Sequence, residues 1–146
     1  MPVRGIGRVR IPHRTDDPMR LLNYVLKSVG FVAELISVDK KGIEYDHEAT
    51  GFFVALLSPK ECLTYGYIVT AAHVARRLTN KRVGFIVNSW KGGITAIEIS
   101  GSRWFFHPTD LSVDVAVLPC EYPHDADLIA FSTQHFLTAE RMEKEH

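Results

Sequence analysis

A histidine at the end of one apolar strand and an aspartate within another are the two side chains whose setting suits chemistry. The first lies in Tyr67-Ile68-Val69-Thr70-Ala71-Ala72-His73-Val74. The small alanines let the backbone pack tightly, so the imidazole sits at the strand's end and not in the core. There it can offer one ring nitrogen to a substrate or nucleophile and the other to an orienting acceptor. The second lies in Val113-Asp114-Val115-Ala116-Val117-Leu118-Pro119, where alternation puts the valines on one face and Asp114 with Ala116 and Leu118 on the other. An aspartate in so apolar a strand needs a partner, because a buried unpaired carboxylate is costly. A protonated imidazole would be such a partner. Each residue also has a structural reading: His73 as a satisfied histidine in an apolar setting, Asp114 as a carboxylate bonding loop amides at the strand's start.

Other candidates are weaker. Asp46-His47-Glu48 has metal-capable side chains, but consecutive strand residues point to opposite faces, so a solvated hairpin is expected. His124, Asp125 and Asp127 sit in a polar loop and are expected to stay solvated. Arg76, Arg77, Lys81 and Arg82 follow the histidine turn. A nucleic-acid patch is one reading, yet basic and acidic residues balance at 17 each, and a solvated loop is the expectation. Cys62 and Cys120 are too few for a disulfide framework; one bridge is conceivable, but free thiols are expected in a reducing compartment.

The elements that must position His73 and Asp114 read as an all-β domain, short apolar runs broken by turn residues. Strands are expected at Phe31 to Val38, ending at the turn Asp39-Lys40-Lys41-Gly42, at Gly51 to Leu57, stopped by Ser58-Pro59, and at Tyr65 to Thr70. Further strands are expected around Val83, Phe85 and Val87, around Ile97 and Ile99 after the turn Lys91-Gly92-Gly93, and from Val113 to Leu118. One helical turn, Ala71 to Leu78, interrupts them. Six short strands suit a small closed antiparallel barrel, which leaves no free edge. Residues 1–28 form a basic extension: Arg4, Arg8, Arg10, Arg14, Arg20 and Lys27 face only Asp16 and Asp17. Asp17-Pro18 followed by Met19, Leu22, Tyr24, Val25 and Leu26 suggests a short helix, with a strand as competitor. For its arginines a mobile solvated extension is expected over a contact with nucleic acid or a partner. Phe136 to His146 is charged and reads as a helix or a severed linker.

The order of these motifs resembles the first barrel of trypsin- and chymotrypsin-like serine peptidases. Ala49-Thr50-Gly51-Phe52-Phe53-Val54 precedes Thr70-Ala71-Ala72-His73, and His107-Pro108 precedes Asp114 and its apolar strand. The likeness runs from about Phe31 to Cys120. It implies the first half of a double-barrel fold over residues 29–120, with His73 as general base and Asp114 as the carboxylate that holds its tautomer and stabilises the imidazolium. It implies a peptide or protein substrate, no cofactor and no metal.

The family's nucleophile stands in a glycine-x-serine-glycine context in a second barrel, and no serine here has that context. Gly101-Ser102 continues into Arg103 and Trp104, which cannot supply the oxyanion turn. Residues 121–146 therefore read as the crossover to a missing C-terminal barrel, and the chain as an inactive fragment. The face that barrel would cover is expected to drive self-association. The alternative is a non-catalytic peptidase-like barrel that binds peptide or a protein partner. Apolar residues make up 46% and charged residues 23%, an ordinary globular balance. No stretch approaches the length of a membrane span and the start has no secretory apolar core, so a soluble, cytoplasmic protein without membrane or nucleic-acid partners is expected.

Overall fold

Apolar alternation from Val29 onward resolves, in the computed structural model, into one mostly antiparallel β-sheet with a few short helices. The structure describes residues 18–58, 60–61, 63–99, 103–136 and 138–145. The chain begins with helix α1 (Pro18–Ser28), then β1 (Val29–Asp39) and β2 (Gly42–Ser58), joined by a turn in which Asp39 Oδ1 accepts the Lys41 and Gly42 amides. After β3 (Leu63–Thr70) and helix α2 (Ala72–Arg77) come β4 (Val83–Asn88), β5 (Ile94–Glu98), β6 (Phe105–Phe106), β7 (Ala116–Pro119), β8 (Phe131–Ser132) and helix α3 (Ala139–Glu145).

The strand order is β5-β4-β1-β2-β3-β7-β6, with β8 parallel to β2. The expected all-β class holds, but the six-stranded closed barrel does not: the sheet has eight strands and is open. Among the described residues no ladder joins β5 to β6. β1 stops pairing with β2 at Phe52, and β8 occupies the side thus left free at Val54 and Ala55.

The sheet curls enough for both ends to share a core. Val32, Phe53, Ile68, Phe85 and Leu118 are fully buried together, and Val74 of α2 and Leu78 at its C-terminal end pack on them. β1 and β4 bury their second face as well, where Ala33, Leu35 and Ile86 lie under Ile43, Tyr45 and Ala96.

Three further expectations change. Residues 18–28 are a docked helix and not part of a mobile extension: Tyr24 and Ser28 are buried, and the Tyr24 hydroxyl donates to the Ala130 carbonyl at 3.0 Å. The arginines upstream of Pro18, and Cys62, lie outside the described residues. The first part of the supposed linker belongs to the domain, since Ala126, Leu128 and Ala130 are core residues and Asp127 pairs with Lys27 of α1 at 2.8 Å. The sixth expected strand, from Val113, starts only at Ala116, so Asp114 lies in the loop before β7 and not inside a strand.

Candidate active site

Strand β3 ends at Thr70, whose buried hydroxyl donates to the Thr50 carbonyl at 3.1 Å and ties β3 to β2. Ala71 is still extended, and the chain then turns into α2. Ala72 and Ala75 are fully buried against Ala116 of β7, with Trp104 packed against this cluster. Methyl groups alone at this contact let helix and strand approach closely. His73, one residue on from Ala72, points to the outside.

A six-residue helix leaves its first amides unpaired unless something caps them, and Ala71 has no side chain able to do so. Asp114 does it from across the fold. Its Oδ1 accepts the His73 backbone N–H at 2.9 Å, and its Oδ2 lies 2.6 Å from His73 Nδ1. These contacts hold the Asp114 carboxyl below its ordinary range, the His73 backbone amide contributing most and the ring next. An ionised carboxylate only accepts hydrogen bonds, so Nδ1 carries a proton, and in the neutral ring the lone pair then belongs to Nε2. The side chains are 61% and 51% exposed, so the pair sits at the surface.

The loop that delivers Asp114 is shaped by two side-chain caps. His107 Nδ1 accepts the Asp110 amide at 2.9 Å, and Asp110 Oδ1 accepts both the amide and the hydroxyl of Ser112, at 2.9 and 2.6 Å. The Ser112 hydroxyl and amide also lower the Asp110 pKa. These residues were missed as positioning groups, although an aspartate two residues before a serine is a recognisable turn signal.

Beside Asp114 opens an apolar groove of about 600 Å³ on the outer face of β2, β3 and β7. Phe52, Val54, Leu56, Tyr67, Val69 and Val117 line it, and Thr70 and Asp114 stand among its lining residues.

The remaining candidates are engaged elsewhere. His47 meets Phe31 edge-on, with ring centres 4.6 Å apart, and Glu48 pairs with Arg77. Lys81 pairs with Glu34 at 2.6 Å and Arg82 grips Glu98 through two nitrogens, so carboxylates neutralise three of the four cations after the histidine turn. Asp125 and Asp127, expected to be solvated, accept from Thr95 and Lys27. Cys120 is buried, and burial pushes its thiol up to about 12, which removes the thiolate a nucleophile needs. Among the described residues no group of three histidine, cysteine or acidic side chains could hold a metal, no serine or cysteine bonds the His73 ring, and no helix is long and apolar enough to cross a membrane.

No family model, curated protein or solved structure matches this chain.

Proposed function

We propose that this chain is the histidine- and aspartate-bearing half of a trypsin-like serine peptidase site, built on the first of two β domains. The observation that carries the reading is the doubly anchored imidazole: one carboxylate takes both the amide and the Nδ1–H of His73, which fixes the tautomer with Nε2 as the basic atom. In that reading Nε2 takes the proton from a serine hydroxyl as its oxygen attacks the scissile carbonyl. The imidazolium, stabilised by Asp114, then returns the proton to the departing amine. Serine and oxyanion donors come from a second domain, seated where its loops reach Nε2. Neither metal nor cofactor takes part.

A serine-directed fluorophosphonate tests the reading. The 146-residue chain alone is expected to stay unlabelled, because histidine and carboxylate without nucleophile and oxyanion donors make no acyl-enzyme. Joined to a polypeptide bearing a glycine-x-serine-glycine loop, that serine should label, and His73→Ala should reduce labelling to background. Asp114→Asn should slow it by about four orders of magnitude. Labelling unaffected by His73→Ala, or stoichiometric labelling of a serine in this chain, would overturn the reading.

The apolar groove favours a second reading, a peptidase-like domain that binds a peptide or protein without cleaving it. Peptide binding that is unchanged in His73→Ala, with no labelling in any assembly, would support it.

A further inference from the structure

The contacts between His73 and Asp114 lie at the surface, where water competes for every hydrogen bond, so their geometry must be set by the backbones that carry them. One of those backbones is weak. α2 has six residues, too few to hold a helical shape without packing. The other is a loop that enters β7 only at Ala116. What joins them is the contact of Ala72 and Ala75 with Ala116, and alanine methyls alone leave its flank uncovered. The side chain covering it is Trp104, half-buried, which packs on this contact and on the main core at the same time. The two residues after it continue the connection. Phe105 and Phe106 pair with Val117 and Ala116, and the guanidinium of Arg76, on α2, lies 4.8 Å from the centre of the Phe106 ring.

We propose that Trp104, with Phe106 under Arg76, is the positioning clamp of the His73–Asp114 pair: it presses the helix carrying the imidazole onto the strand that follows the carboxylate. Trp104 touches neither reacting group and acts through the alanine contact. Its relevance to catalysis rests on the peptidase reading, but the geometry can be measured in this chain without any activity.

The measurement is the ring tautomer of His73, from the ¹⁵N shifts of Nδ1 and Nε2 at a pH where the imidazole is neutral. The unaltered chain is expected to hold the Nδ1–H form, and Asp114→Asn, which removes the carboxylate, marks the unclamped limit. Trp104→Ala should lower the ratio of Nδ1–H to Nε2–H about tenfold, the scale of losing a hydrogen bond to a charged acceptor. Trp104→Phe should restore most of the ratio, and Phe106→Ala should give a smaller fall. Ile97→Ala removes side-chain volume packed on the same core but away from the alanine contact; it should lower stability and leave the tautomer alone. If Trp104→Ala does not fold, Trp104→Leu fills the core side without covering the alanines and is read in its place. A folded Trp104→Ala or Trp104→Leu variant with the unaltered ratio overturns the proposal. So does Ile97→Ala shifting the ratio equally, since the effect would then be general loosening. Fluorophosphonate labelling can fail with this ratio unchanged, so the failure of one reading is distinguishable from that of the other.

Discussion

Asp114 serves two ends with one carboxylate, capping α2 and orienting the His73 ring, and its titration separates them. Its largest stabilising contact is the His73 backbone amide, with the ring second. Its carboxyl resonance should therefore titrate below about 3.9, the value of an ordinary aspartate. His73→Ala should move that midpoint only part of the way back, because alanine keeps the amide. A complete return would mean that the cap does not form. The sign for stability follows from the same shift. A carboxyl whose folded pKa is depressed contributes stability that is present above its unfolded pKa and is lost as pH falls through the folded value. Acid unfolding of the unaltered chain should thus gain a component in the range below about 4 that Asp114→Asn lacks. Urea midpoints of the two proteins, followed from neutral pH downward, should converge.

At the scale of elements, β3 brings the chain to His73, and Gly66 in its middle packs tightly between Phe53 and Cys120, the residue after β7. A Cβ there would lie 2.6 Å from the Cys120 carbonyl oxygen and 2.6 Å from the Phe53 ring. Neither neighbour yields easily. The Cys120 amide bonds back to the Gly66 carbonyl at 3.0 Å, and Phe53 is fully buried. Gly66→Ala should cost about 1–3 kcal/mol, the range for overpacking a core, and lower the urea midpoint without changing the slope. A loss within experimental error would mean that β3 and β7 can separate there at no cost.

The strands that flank this position were legible from their residues, because β1, β3 and β4 are long enough for pattern and turn chemistry to agree. The start of β2 was not read: Ile43 and Tyr45 alternate as a strand should, but Glu44, Asp46 and Glu48 between them give it the look of a polar hairpin. β6 and β8, at two residues each, have no period to detect. Asp114 was misplaced for the opposite reason. Val113, Val115 and Val117 alternate convincingly, yet the caps at His107 and Asp110 and the contact with α2 hold Val113 and Val115 outside the strand. The pairing of His73 with Asp114 was anticipated from the order of motifs, whereas Trp104 gave no sign, because one aromatic residue between an arginine and two phenylalanines says nothing of what it covers.

At the scale of the molecule, strand register lines up one apolar row across the outer face of the sheet. Val29 opposes Phe52, Phe52 opposes Val69, Val69 opposes Val117, and Val117 opposes Phe105. Directly opposed residues share a face, so the row runs unbroken from β1 through β2, β3 and β7 to β6. Phe52 and Phe105 are 36% and 50% exposed, and Leu22, Val25 and Leu26 of α1 are also exposed. An apolar surface on the order of several hundred Å² usually finds a partner or drives association. If a second domain seats on this face, the 146-residue chain by itself should associate reversibly, with an average mass in light scattering that falls toward the monomer on dilution. Thermal unfolding should shift upward with concentration, since association favours the folded state by mass action. Phe52→Glu places a charge in the middle of the row at a position where water can already reach it, so the fold should survive while association weakens. The unaltered chain remaining a monomer at every concentration, with an unfolding temperature independent of concentration, would mean that the face tolerates water, and would favour the self-sufficient binding domain over the half-site.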